Sequence, residues 1–173
     1  MLPATILKKY QYICILENKT CKTMAINKEI GSTIHHLIER CKDGAKGYKT
    51  ASEDIEDKDL KDLFKKYAVQ RDSMITELQD QLAKMGGLDD ESSSIEGTVH
   101  RAWIDLKSAL TSRDRKRVLE ECERGEDYAV KAYKEAMEKN LPGELSQIVQ
   151  QQYEDVKSAH DHIRSLRDAA KAE

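Results

Sequence analysis

From residue 27 onward, apolar side chains recur at alternating spacings of four and three: Ile30, Ile34, Leu37, Cys41, Gly44, Tyr48, Ala51 and Ile55. Such a stripe is the seam of a helix lying nearly parallel to its neighbours, and it predicts a first helix from about Lys28 to Asp54, capped by Asn27. Leu60, Leu63, Phe64, Tyr67, Met74, Leu78 and Leu82 predict a second, stopped by Gly86 and Gly87. After a polar loop, Ile95, Val99, Trp103, Leu106 and Leu110 mark a shorter amphipathic helix. A third long helix is expected from about Asp114 to Lys139, on Val118, Cys122, Gly125, Ala129, Ala132 and Ala136, with Leu119, Val130, Tyr133 and Met137 widening its buried face. The last begins near Pro142, a residue suited to a first helical turn, and continues on Leu145, Ile148, Val149, Val156, Ala159, Ile163 and Leu166.

The first two dozen residues break this regularity. Their periodicity is mixed, Tyr10–Leu16 is strand-like, and Lys8 and Lys9 interrupt the apolar part, which excludes a secretory signal. Residues 1–26 are therefore expected to be a disordered or loosely docked arm ahead of one domain, 27–173, with Met24 as an alternative start. No run reaches the eighteen or so apolar residues that cross a bilayer, so neither a membrane nor export is expected, and the location expected is cytoplasmic. In that reducing setting the four cysteines, Cys14, Cys21, Cys41 and Cys122, are expected as free thiols.

Two segments share a layout. "LIERCKDGAKGYKTA" from Leu37 and "VLEECERGEDYAVKA" from Val118 each hold an apolar pair, a Glu, a Cys two residues later and a Gly three after that, offset by 81 positions. Both lie on helix seams, so the chain reads as two similar helical hairpins. The stretch between Met85 and Asp114 far exceeds the two to eight residues that join adjacent antiparallel helices. A connection of that length can run along the molecule and leave the second and third long helices parallel. The first and third then become antiparallel neighbours, with Cys41 facing Cys122 and with Gly44 and Gly125 permitting close backbone approach.

Composition agrees with an all-helical chain: 173 residues, 35% charged, two prolines and 5% aromatics. The net charge of -3 comes from 29 basic and 32 acidic side chains, thoroughly interleaved, which leaves no field to attract nucleic acid. The one basic run, Arg113–Arg117, has no aromatic platform or glycine loop beside it and reads as a solvated helix entrance.

The blocks "LIERCKDGAKGY", "YAVQR", "HRAWIDLKSALTSRD", "ECERGEDYAVKAY" and "AHDHIRSLR", in this order, resemble an uncharacterised bacterial family of ferritin-like four-helix-bundle proteins, a domain of unknown function. The resemblance covers roughly residues 28–168 and implies an all-α, ferritin-like four-helix bundle with a long helical crossover. It carries over no activity.

Ferritin-like di-iron sites need a Glu from each of two helices and a Glu-x-x-His from each of the other two. Neither the second nor the fourth long helix has that pair, and His160 and His162 lack a Glu three residues before them. No catalytic residue, metal or cofactor is therefore assigned. A looser metal site would draw on His35 and Glu39 with Cys41 and Cys122, and a Cys41–Cys122 disulfide would need facing α-carbons within about 6 Å. The polar residues on or beside the seams, Arg71, Glu126, Gln152 and His160 with Tyr48, Tyr67 and Tyr133, are candidates for a buried polar core in which Arg71 needs a carboxylate, for which Glu126 is the candidate. Trp103 is the candidate surface contact. The leading functional reading is a non-catalytic bundle, stress-related or housekeeping, acting by self-association into a homo-oligomer or through a protein partner. The alternative is a metal-binding or thiol-redox protein using Cys41 and Cys122 in place of carboxylates.

Overall fold

The computed structural model describes residues 4–85, 105–111 and 114–170, with side chains from Lys28 onward. These residues form five helices and no strand: α1 (Ala4–Asp54), α2 (Lys58–Lys84), α3 (105–111), α4 (Arg115–Met137) and α5 (Gly143–Ala169). Two aspartates start helices where the seam patterns begin. Asp57 accepts hydrogen bonds from the backbone N–H of Asp59 (3.0 Å) and Leu60 (3.1 Å), and Asp114 from Lys116 (3.0 Å) and Arg117 (3.2 Å). Each satisfies two of the amides that a helix start leaves without partners. Pro142 takes the N-cap position of α5, just outside the first turn.

The N-terminal expectation needs correcting. α1 runs unbroken through Asn27 back to Ala4, so Asn27 is an interior residue and Tyr10–Leu16 is helical. No glycine or proline lies between Pro3 and Gly31 to stop a helix there, and Asn27 alone is too weak a breaker. At 1.5 Å per residue, the 51 residues of α1 span about 76 Å, nearly twice the roughly 40 Å of α2 or α5.

α1 packs on α2 and α4, and α5 packs on α4 and α2. Across α1 and α4, Cys41 meets Tyr133 and Tyr48 meets Glu126, one antiparallel register. Across α2 and α5, Tyr67 meets His162 and Glu77 meets Gln152, again antiparallel and in one register. Ion pairs fix the ends. Lys84 at the end of α2 bonds Glu144 at the start of α5 (2.6 Å), while Arg115 at the start of α4 pairs with Asp57 at the start of α2. The chain between Met85 and Asp114 thus connects opposite ends of the molecule, and α2 and α4 run parallel. Of that connection α3 is described; Gly86, Gly87, Ile95, Val99 and Trp103 lie outside the described residues.

The apolar core is in two parts. One gathers Ile34, Leu37, Met74, Leu78, Leu145 and Val149; the other gathers Phe64, Leu60, Leu119, Leu110 and Ile163. Each fully buried Leu, Ile or Phe contributes on the order of 1.5–3 kcal/mol. Between the two parts lies a layer of polar side chains.

Candidate functional site

Arg71, on the seam of α2, is the largest fully buried side chain among the described residues, 1% exposed. Its Nη2 donates to both carboxylate oxygens of Glu126 on α4, at 2.8 and 2.7 Å, and Glu126 is 3% exposed. Tyr48 on α1 donates its hydroxyl to Glu126 Oε1 at 2.7 Å. Three helices therefore converge on one carboxylate. Burial pulls the Arg71 pKa down, but the facing Glu126 charge outweighs it and holds the guanidinium protonated. Burial first, and then the Glu126 charge, pushes the Tyr48 phenol well above its ordinary range, so it remains a donor.

A second chain of hydrogen bonds lies one step along the core. Tyr133 on α4 donates to Gln152 Oε1 on α5 (2.7 Å), which commits its only proton. The Cys41 thiol, 3.1 Å from the Tyr133 hydroxyl oxygen, is then the donor to it. Gln152 Nε2 donates onward to Glu77 Oε2 (2.8 Å) and to the Met74 carbonyl (3.3 Å). Glu77 and His162, the latter 2.9 Å from the Tyr67 hydroxyl, are partners that no stripe marked, because only the α2–α5 register brings them there. Tyr67 and Phe64 also pack their rings against Tyr48, at centroid distances of 5.3 and 5.6 Å. His160, expected in the polar core, lies instead at the α4–α5 edge between Asp127 (3.0 Å) and Asp161 (2.9 Å).

The cysteines do not face each other. With Cys41 opposite Tyr133, the register places Cys122 about three turns away along the helices, on the order of 16 Å. Both thiols are free and buried, in different parts of the core. Burial raises the Cys41 and Cys122 pKa values, and the Glu126 charge adds to this at Cys122. Of the looser metal set, Glu39 pairs with Lys42 (2.8 Å), and no group of three or more His, Cys, Asp or Glu side chains is arranged to hold a metal among the described residues.

The glycines do not tighten the α1–α4 contact either. Among the described residues, a Cβ built on Gly125 would meet nothing within 4 Å, and the nearest atoms to one on Gly44 belong to the Arg71 side chain, at 3.5 Å. Together with Gly47 they leave a cleft of about 110 Å³ between α1 and α4, with Arg71 and Glu126 in its floor and Cys122 in its wall. Trp103 lies outside the described residues.

Residues 29–139 match the family model described as Domain of unknown function (DUF2383). No curated protein matches the chain.

Proposed function

We propose, for a chain that belongs to the DUF2383 family, a non-catalytic four-helix bundle of ferritin-like topology that works by binding, either to itself or to a protein partner, in the reducing interior of a bacterial cell. The connection between α2 and α4 is its long crossover. The observation that carries this reading is the closed Arg71–Glu126–Tyr48 cluster. Where a ferritin-like site would gather several carboxylates around two metal cations, the two buried carboxylates among the described residues are each neutralised by an arginine, Glu126 by Arg71 and Glu123 by Arg167. With Oε1 accepting from Arg71 and Tyr48 and Oε2 from Arg71, Glu126 keeps about one of its four acceptor positions, too few to bridge two cations.

The offset of 81 positions supports duplication as the origin of the bundle. It relates Cys41 to Cys122 and Gly44 to Gly125, and it also relates Arg71 to Gln152, Phe64 to Leu145 and Leu60 to Leu141. The two central polar residues of α2 and α5 are thus equivalent positions in two hairpins. Their divergence, a cation in one and an amide in the other, suits a structural layer better than a symmetric metal centre.

Elemental analysis of full-length protein purified without chelator, together with sedimentation over a hundredfold concentration range, tests the reading. The expected result is metal well below one equivalent and self-association or a single defined oligomer. Stoichiometric iron, manganese, zinc or copper, lost on replacing Glu126 or Cys41, would overturn it in favour of the metal-binding alternative.

A further inference from the structure

The cleft between α1 and α4 is walled by glycine, carbon and paired charge. Tyr48, Leu106 of α3, Cys122 and Ala129 line it, and a buried thiol behaves as a small hydrophobe. Tyr48 has already committed its hydroxyl proton to Glu126. Gly47 and Gly125 open the space. Among the described residues, the nearest atom to a Cβ on Gly47 is Leu106 Cδ2, at 3.8 Å, and a Cβ on Gly125 would meet nothing within 4 Å. Gly125 is itself exposed, so the cleft opens at the surface there.

The charged groups around the cleft are already engaged. Arg71 bonds Glu126 at 2.7 Å, Arg40 faces Asp43 at 3.0 Å and Glu121 is held by Arg124 at 2.7 Å, while Lys46 is not free either. A ligand charge of either sign would have to break one of these pairs or lie desolvated beside them without a partner, and both are costly. An uncharged apolar body meets neither penalty, and it releases the water that the carbon walls would otherwise face. Size narrows the class further. About 110 Å³ is well below the roughly 300–1,000 Å³ of sites for drug-sized ligands and approaches the roughly 150 Å³ of an apolar cavity that takes up benzene. That is room for a single ring.

We infer that this cleft is a binding site for a small, uncharged, apolar molecule the size of a single ring, seated between Leu106 and Ala129 with Gly125 at its entrance. The helix glycines gain a reason that close packing does not supply: side chains at Gly47 and Gly125 would occupy the ligand's volume.

The test is a titration of the full chain, labelled at its Leu and Ala methyl groups, with toluene, followed by NMR. Benzoate and benzylammonium, which keep the ring and add one charge of either sign, are titrated separately. Toluene should bind saturably with a Kd on the order of 1 mM, inside the ceiling on affinity for so few atoms. Its ring current should move the Leu106 and Ala129 methyl resonances ahead of the others. Both charged analogues should bind at least roughly tenfold more weakly, because their charge finds no free partner. Gly125→Leu should abolish toluene binding while circular dichroism shows the bundle intact. If that variant fails to fold, Gly125→Ala, which suits a helix better than glycine, should weaken toluene several-fold instead. Shifts spread evenly over the methyl groups, a charged analogue that binds as tightly as toluene, or toluene affinity unchanged in the folded Gly125 variant overturns the site. A cleft already filled by another part of the chain or by a second copy would give no toluene binding, and that result overturns it equally.

Discussion

Replacing Glu126 with Ala strips Arg71 of its carboxylate partner while leaving it 1% exposed, and the structure sets the scale of the damage. A buried guanidinium left unpaired costs about 3–5 kcal/mol. The Tyr48 hydroxyl also loses its acceptor, adding about 1 kcal/mol. The sum, about 4–6 kcal/mol, is a large share of the 5–15 kcal/mol that holds a typical domain together. It corresponds to a fall in Tm of roughly 10–20 °C for a chain of this length. Replacing both partners, Arg71→Met with Glu126→Leu, removes the two desolvation penalties together and should bring stability back to within about 1 kcal/mol of wild type. Urea denaturation followed by far-UV circular dichroism on Arg71→Met, Glu126→Leu and the double variant gives the coupling, expected to be about 3 kcal/mol or more. A Glu126→Ala cost below about 1 kcal/mol, or a double variant as damaged as the two singles added, would show that the pair is neither dry nor coupled.

Other outcomes follow from the same geometry. Native Cys14→Ser/Cys21→Ser protein should resist a thiol reagent at pH 8 and label fully at Cys41 and Cys122 only when unfolded, since both pKa values are raised by burial; stoichiometric labelling of the native state would refute this. Because these folded-state values lie above those of the unfolded chain, the stabilisation is complete at neutral pH. It should decline as pH rises past about 9, where unfolded thiols begin to lose protons the fold retains; urea midpoints at pH 7 and 10 check the sign, and Cys41→Ala/Cys122→Ala should shallow the decline. Gly125→Ala should raise stability by about 0.5–1 kcal/mol, as it removes helix entropy cost without a clash; a loss would restore the close-packing explanation. Asp114→Ala should cost about 1 kcal/mol through the lost α4 cap, read from the shift in urea midpoint, and no shift would mean the cap is not formed in solution.

The helices were legible because their apolar stripes are long and their stops are strong. α2, α4 and α5 begin and end within a few residues of where the spacings put them, and Ile34, Leu37, Phe64, Val118, Val149 and Ile163 are buried as their positions in the seams require. The start of α1 was not legible, since a helix needs a breaker to end and the sequence between Pro3 and Gly31 offers none. A change in periodicity does not show that a helix stops.

The site was legible as a set of residues but not as a geometry, and the reason is register. A seam pattern says that Cys41 and Cys122 point inward; it says nothing about the axial offset between two helices, and an error of about three turns leaves every stripe intact. The shared layout, offset by 81 positions, contains the missing step. In an antiparallel pair related by an approximate two-fold axis, equivalent residues face each other only where the axis crosses, and all others lie on opposite sides of it in proportion to their distance from that point. The Tyr48–Glu126 and Cys41–Tyr133 contacts put the crossing close to Gly47 and Tyr128. The equivalent cysteines therefore fall on either side of it, each in its own part of the core, and the glycines sit close to it, where the two helices present their smallest residues and the cleft opens. Equivalence in sequence thus separates the thiols and gathers the glycines for the same geometric reason, and it leaves the middle of the molecule to the Arg71–Glu126 pair and to the space beside it.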